Sequence, residues 1–319
     1  MLTAVRVFLF SLLCLLATWS LLGVFNDSII VFKFLNFFGQ LIPYISIILG
    51  ATLFWLSKKS NLKWVVIIVC LPCIVIPFLV PSLNLFTGPI IPNSTMGEEH
   101  KFTFITFSKM SHNTNYDEIS KIVDCTKFDV IHVQEIRDID AFLNAAPSVT
   151  KHCNYIAHPD KNSLITFSKY PLKLSSVQNK TFVEANIANQ SVALINVHAL
   201  KTITHSAHSQ INLAKNLADL KRAISMPMII AGDFNATPFN ESIMLMRKHF
   251  KQTRFDNSFM AKRSTWPGEA RRLGTFGPLI QIDYIFYEGL GSQNTFIHES
   301  SYGSDHYPMQ TTFSLSAKG

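Results

Sequence analysis

Three long apolar runs open the chain, and shorter runs of a different period follow. Leu2 to Phe25 is apolar apart from Arg6 and a few small polar residues. Phe34 to Leu56 is the second run, interrupted by Asn36, Gln40 and Pro43, and Trp64 to Leu83 is the third, with Pro72, Pro77 and Pro81 inside it. Each approaches the ~20 residues that cross a bilayer core as a helix. Three spans are therefore expected, the interrupted second one being the candidate for a re-entrant segment. A cleaved signal peptide also begins with an apolar run, but no small-residue cleavage site follows and two further runs do. Ser82 to His100, rich in Pro, Gly, Asn, Ser and Thr, reads as a linker.

From residue 101 the pattern is that of an α/β domain. Phe102–Phe107 alternates as a strand does, and Phe128–Val133, Leu164–Phe167, Met228–Ala231, Ile280–Tyr287 and Met309–Leu315 are further strand-like runs. Phe182–Ile187 and Val192–Val197 pair across Asn189-Gln190. Tyr116–Cys125, Ser206–Ile224 and the stretch near Glu241–Lys248 have helical spacing. Few helices and many strands, often hairpin-adjacent, predict two packed sheets with helices outside. The chain thus divides into a membrane region, 1–83, a linker, 84–100, and a soluble domain, 101–319, long enough to bury one sizeable core.

Composition sharpens this division. Of 319 residues, 48% are hydrophobic and only 15% charged, which is too apolar for one soluble domain. The formal charge of +7 is drawn largely from the front, where Arg6, Lys33, Lys58, Lys59 and Lys63 face the single acid Asp27 before residue 98. The remainder is only weakly basic and does not call for a nucleic-acid patch. Lys58, Lys59 and Lys63 crowd the loop between the second and third runs. By the positive-inside rule that loop and the N-terminus are cytoplasmic, and everything after the third span lies across the membrane. Cys125 and Cys153 are alone in the soluble part and would be free to pair in an oxidising compartment. No Cys/His spacing of a structural zinc site is present.

The candidate chemistry sits at strand ends. Met228-Ile229-Ile230-Ala231 stops at Gly232 and delivers Asp233 and Asn235, two residues apart and on one face at period 2. Glu135 follows Val130–Gln134, Asn196-Val197-His198 closes another strand, and Asp305-His306 precedes Tyr307-Pro308. Asp283 lies inside the apolar run Ile280–Ile285, where a lone carboxylate is costly and demands a cation, a histidine or a metal. Singly, each residue has an ordinary explanation: a solvated strand edge, an Asx turn, a satisfied histidine. Together they supply what a hard metal and a phosphoryl group require.

In this order, Gln134-Glu135, Asn196-Val197-His198, Gly232-Asp233-Phe234-Asn235, Ile282-Asp283-Tyr284-Ile285 and Ser304-Asp305-His306 resemble the motifs of the endonuclease/exonuclease/phosphatase (DNase I-like) superfamily. Ser168-Lys169-Tyr170-Pro171 and Thr265-Trp266-Pro267 look like its bacterial members. The resemblance covers roughly 101–315 and leaves out the apolar runs. It implies a four-layer α/β sandwich, two mixed sheets face to face with helices outside, here preceded by a transmembrane region. It implies a phosphoesterase using Mg²⁺ or Mn²⁺, with Glu135 and Asp305 at the metal. Asp233 would orient or deprotonate the attacking water. Asn235 would hold a phosphate oxygen and Asp233; His198 and Asn196 would contact the substrate phosphate; and His306, held by Asp283, would serve as acid/base or phosphate stabiliser. One departure stands out: the family's first core strand usually ends in an Asn near the metal, and here the chain reads Phe107-Ser108-Lys109-Met110.

The expected protein is therefore a multi-pass protein, of the bacterial inner-membrane type, with an extracytoplasmic phosphoesterase domain acting on a lipid headgroup or a nucleic acid. Residues 251–279, with Arg254, Lys262, Arg263, Arg271 and Arg272, are either a basic lip over the groove or a solvated loop. A catalytically silent binding domain is the alternative, resting on Ser108. A channel or transporter is disfavoured, because the runs carry no acidic residue and no repeat.

Overall fold

The computed structural model describes residues 2–57, 60–82, 100–159, 163–255, 264–293 and 295–315. Lys58, Lys59, nearly all of the expected linker, Lys262 and Arg263 lie outside the described residues. Four helices come first. α1 (Leu2–Thr18) runs on as a π-helical turn, Trp19–Gly23, and is followed by α2 (Ile30–Phe37), α3 (Ile42–Leu56) and α4 (Ser60–Ser82). Among the described residues one helix, Thr3–Gly23, is long and apolar enough to cross a membrane, with a mean hydropathy of 2.1 over its most apolar stretch.

The second apolar run is not one helix. It is broken into α2 and α3, bent by 98°. The interruptions seen in the sequence cause the break. Asn36 is buried and turned to polar partners: its Oδ1 accepts from Trp19 Nε1 at 2.7 Å, and its Nδ2 donates to Asp27 Oδ1 at 2.9 Å. Gly39 lies so close to the Phe239 ring that a Cβ would stand 2.5 Å from a ring carbon. Leu13, Leu16, Trp19, Ile42, Leu53, Val66 and Cys73 form the interior of this helical region, joined by Phe239 from the far part of the chain. Phe8, Leu22, Ile48, Trp55, Trp64 and Ile68 point outward and are exposed.

The remaining chain forms two mixed sheets. One contains β1 (His100–Ser108), β2 (Val130–Gln134), β3 (Asn154–Ala157) and β4 (Leu164–Ser168), and the other β5 (Leu172–Val177), β6 (Lys180–Ile187), β7 (Gln190–His198), β8 (Met228–Asp233), β9 (Lys251–Gln252) and β10 (Asp283–Glu288). The short strands β11 (Gly291–Ser292) and β12 (Phe296–Ile297), with β13 (Met309–Leu315), complete the first sheet. Among the named strands of the described residues, β1–β2 and β7–β8 pair in parallel, and the others pair antiparallel. Period-2 alternation sorts the side chains. Phe102, Phe104, Leu194, Ile229, Ala231, Ile285 and Phe313 fill the space between the sheets. Ile105, Phe107, Ile131 and Val133 turn outward beneath α5 (Tyr116–Ile122), α6 (Ile139–Ala145) and α7 (Pro147–His152). Ile230 and Phe286 turn outward beneath α8 (Ala207–Ala223) and α9 (Glu241–His249). These four layers are the predicted sandwich.

The predicted hairpin at residues 189–190 is shifted by one. Ile187 pairs with Gln190, so the turn is Ala188-Asn189, both at positive φ, as a type I′ turn requires. Cys125 and Cys153 form a disulfide.

The helical region is docked on the sandwich by polar contacts as well as apolar ones. Asp27, 5% exposed, is the centre. Its Oδ1 accepts from Asn36 Nδ2 and from Asn240 Nδ2 at 3.0 Å, and its Oδ2 accepts from the Glu241 backbone N–H at 2.8 Å. Asp27 thereby caps α9, whose own N-cap Asn240 makes no side-chain cap. Thr237 Oγ1 donates to Asn36 O at 2.6 Å, Phe25 N–H to Phe239 O at 3.0 Å, and the Gln281 N–H to Gln40 Oε1 at 2.7 Å. Phe37, Ile280 and Ile282 seal the junction.

Asp27→Ala strands three donors, of which the two on Asn36 and Asn240 are buried and cost about 1–3 kcal/mol each. Thermal melting of the full chain in detergent should therefore drop by several degrees, whereas Ser28→Ala, on the exposed neighbour, should leave the midpoint unchanged. Equal midpoints for wild type and Asp27→Ala would refute the docking role.

Candidate functional site

Strand register assembles the site. His198, the last residue of β7, stands opposite Asp233, the last of β8, and Asp233 stands opposite Asp283, the first of β10. Gly232 makes this possible. Its φ is +146°, and a Cβ there would fall 1.9 Å from the Val197 carbonyl oxygen, so only glycine lets β8 lie this close to β7. From the first sheet, β2 ends beside this row and delivers Glu135, held at φ 65°. Asn235 is likewise at φ 48°. Both are non-glycine residues in the left-handed region, a strain that clusters where side chains must be aimed for function.

Asp233 is the most enclosed member, at 1% exposure. Asn235 grips it twice: the backbone N–H donates to Oδ1 at 2.7 Å and Nδ2 donates to Oδ2 at 2.8 Å. Two imidazoles converge on the same Oδ2. His198 Nε2 and His306 Nε2 each stand 3.8 Å from it. That spacing is too long for a direct hydrogen bond and leaves room for a bridging oxygen. His306 is fixed from behind by Asp283, whose Oδ2 lies 2.9 Å from Nδ1. Thr265 Oγ1 accepts the Asp283 backbone N–H at 3.3 Å, and Ser304 Oγ accepts the His306 N–H at 3.0 Å.

The electrostatics follow from crowding acids in a dry place. Burial pushes the Asp233 carboxyl up to about 8; the His306 charge opposes this, and Asp283 and Glu135 add to it. Burial works against the His306 imidazolium, but Asp283 and Asp233, with Asp305 behind them, outweigh it and raise its pKa to about 10. His306 is thus an imidazolium through the neutral range, and Asp283 has the partner that its apolar strand demanded.

Glu135 completes a second group. Its Oε2 accepts from the Ser111 N–H at 2.6 Å, and its Oε1 lies 3.4 Å from His198 Nε2. Ligand atoms of Glu135, His198 and Asp233 lie within 4.8 Å of one another, as do those of Asp233, Asp283 and His306. The first set fits a divalent cation: it is rich in carboxylate oxygen, and Glu135 is aimed by a backbone donor. The Ser108 hydroxyl, on β1 opposite Gln134, is buried without a hydrogen-bond partner. Such an orphaned group suits a water of a cation's shell.

Three of the expected site residues are engaged within the protein itself. Asn196 is spent between the sheets: Nδ2 donates to Val133 O and Ile165 O, and Oδ1 accepts from Gln134 Nε2 at 2.6 Å. It fastens one sheet to the other. Asn235 Nδ2 divides its two protons between Asp233 and Ala199 O at 3.0 Å, so it positions Asp233. Asp305 joins neither group; its Oδ2 is held by Arg271 Nε at 2.8 Å and by a second guanidinium nitrogen at 2.7 Å. Lys109 occupies the neighbourhood of the missing Asn. It is 2% exposed, donates to Asn113 O at 2.9 Å, and has its pKa lowered by burial against the opposing pull of Glu135. The Arg271–Asp305 pair and the supports from Thr265 and Ser111 were not legible beforehand, since nothing in their spacing announces a partner.

The comparisons with known proteins agree with this geometry. A family model described as Endonuclease/Exonuclease/phosphatase family matches residues 110–306, more than half of the chain. The fold is similar to that of an endonuclease/exonuclease/phosphatase from Bacteroides vulgatus (TM-score 0.53, 14% identity, covering 68% of this chain and 99% of that one). It is similar to a beta toxin from Staphylococcus aureus (0.51, 16%, 66% and 99%) and to truncated Caenorhabditis elegans TDP2 (0.51, 15%, 67% and 97%). No curated protein matches the sequence. Strand-end motifs in family order, two mixed sheets and a converging acid–histidine cluster have one reading: the chain belongs to the endonuclease/exonuclease/phosphatase family.

Proposed function

We propose that the protein is a membrane-embedded, Mg²⁺- or Mn²⁺-dependent phosphoesterase, built from a membrane region (1–83), a linker (84–100) and a catalytic domain (101–319) on the extracytoplasmic side. The observation that carries the catalytic reading is the convergence of His198 Nε2 and His306 Nε2 on Asp233 Oδ2, each at 3.8 Å, with Asp283 behind His306. The space between them accepts a phosphoryl oxygen or a water. Asp233 takes the proton of the attacking water as the new P–O bond forms in line with the bond that breaks. The His306 imidazolium donates through Nε2 to a phosphoryl oxygen, while Asp283 holds Nδ1–H and fixes the tautomer. Asn235 keeps the Asp233 carboxylate aimed. Glu135, with His198 and Asp233, would hold the cation, which when bound offsets negative charge growing on the phosphoryl group. Retention of these residues together weighs against a silent binding domain.

Three observations support the membrane reading. The outward faces of α1, α3 and α4 carry large apolar side chains that a bilayer would cover. Asp27, in the first loop, is bonded to the catalytic domain, which agrees with the topology that the lysine distribution implies, with both on one side. The Cys125–Cys153 disulfide suits an oxidising compartment.

Full-length protein in detergent should hydrolyse a phosphodiester such as bis(p-nitrophenyl) phosphate with Mg²⁺ or Mn²⁺ and stop in excess chelator. Glu135→Gln, which keeps shape and removes charge, should lower kcat/KM by about 10²-fold or more, a loss of the size seen when one electrostatic stabiliser is removed. Full activity in chelator would end the metal reading.

The pH profile should have a basic limb: activity falls as His306 loses its proton near 10. Asp283→Asn removes the charge that holds the imidazolium, so the basic limb should move down by about one to two units. A basic limb that does not move in that variant would show that Asp283 does not set the histidine.

A further inference from the structure

The mouth of the site has a rim that carries four of the eight large apolar side chains exposed among the described residues after residue 100. Two loops form it. The first follows His198 directly and presents Leu200 and Ile203, 53% and 37% exposed. This loop is tied to the site, because the Ala199 N–H donates to Asp233 O at 2.8 Å and Thr202 Oγ1 to Asn235 O at 2.7 Å. The second loop carries Arg271, the partner of Asp305, and then the 3₁₀ turn Arg272–Phe276, with Leu273 56% and Phe276 81% exposed. Four large apolar side chains thus stand in the open on the two segments that flank the catalytic cluster.

Both loops reach the helical region at the same place. Lys33 Nζ, on α2, donates to His205 O in the first loop at 2.9 Å. Leu279, just past the second loop, packs with Phe38 and Leu41 against Phe37, Ile280 and Ile282. α2 touches both sides through Lys33 and Phe37, and it is roughly perpendicular to α3, with Ile30, Val31 and Phe34 exposed. If α3 enters the bilayer, α2 runs along its surface, and the two loops lie at the level of α2. Exposed Lys201 and Arg272 stand beside the apolar residues and complement anionic headgroups. Apolar side chains with basic neighbours, continuous with a membrane-embedded region, are the composition of a surface that rests in the headgroup layer.

We propose that Leu200, Ile203, Leu273 and Phe276 seat the rim of the catalytic mouth in the outer headgroup layer of the bilayer, and that the substrate is the phosphoester of a membrane lipid. The proposal rests on the membrane-embedded phosphoesterase reading and narrows its substrate. A lipid phosphate lies at the depth of the rim and reaches the Asp233–His198–His306 cluster without leaving the membrane. A nucleic acid would have to approach between two greasy loops.

The test uses the full chain in nanodiscs of phosphatidylcholine and phosphatidylglycerol. In Phe276→Trp, the emission added over wild type should be blue-shifted and quenched by brominated lipid. Added emission that is solvent-like, quenched by iodide and untouched by bromine overturns the rim. In the second arm, wild type should release phosphate-bearing headgroup from the disc lipids. Leu200→Ser with Phe276→Ser should lower that rate by about tenfold or more, the effect of withdrawing one to two apolar side chains from an apolar phase. The same double variant should hydrolyse bis(p-nitrophenyl) phosphate as wild type does. An equal loss on both substrates, no loss on either, or wild-type cleavage of the soluble ester and oligonucleotides but no disc lipid, overturns the proposal. If wild type cleaves nothing, the phosphoesterase reading fails instead, and the quenching result still decides the rim.

Discussion

The arrangement depends on the burial of one carboxylate, Asp233, beside the Asp283–His306 pair. Three ionisable groups, each at most 5% exposed, share a space where a lone charge is costly. The cluster is tolerable only as a unit. Asp283 and His306 balance each other across 2.9 Å, and Asp233 takes two hydrogen bonds from Asn235. Much of the nearby backbone can be understood as serving that unit. Gly232 lets β8 approach β7, the β7–β8–β10 register lines up His198, Asp233 and Asp283, and the left-handed Asn235 folds its amide back onto Asp233.

The helical region bears on the same unit. Asn36, Asp27 and Gln40 bond to Thr237, Asn240, Glu241 and Gln281. These residues belong to the turn that leaves Asn235 and to the run that enters Asp283. The segment between α1 and α3 is therefore more than a tether. It supplies acceptors for donors on both sides of the row His198–Asp233–Asp283, and a chain lacking it would expose Phe239, Ile280 and Ile282 as well.

Much of this was legible in the sequence, for local reasons. Period-2 alternation marked the core strands, the halt of an apolar run at Gly232 marked the site, and an acid within Ile280–Ile285 announced a buried partner. The broken second apolar run was foreshadowed by Asn36, Gln40 and Pro43. What could not be read is what depends on distant partners. Asp27 meets Asn240 across 213 positions, and Arg271 finds Asp305 across 34, with no local signature for either. Asn196 shares a strand face with His198, but it lies two residues deeper between the sheets, where it is consumed by Gln134 and two carbonyls. Short strands such as β3, β9, β11 and β12 were missed because two to four residues carry too little period to read.

The central claim is that Asp283 and His306 act as one device in chemistry at Asp233. A double-mutant cycle measures this directly. Asp283→Asn, His306→Ala and the double variant would be compared by kcat/KM on a phosphodiester at fixed pH and metal. If the two residues form one device, the double variant is little worse than His306→Ala alone, because the partner's role vanishes with the imidazole. Losses that multiply across the two positions would contradict the account and leave Asp283 a buried acid whose partner in catalysis is not His306.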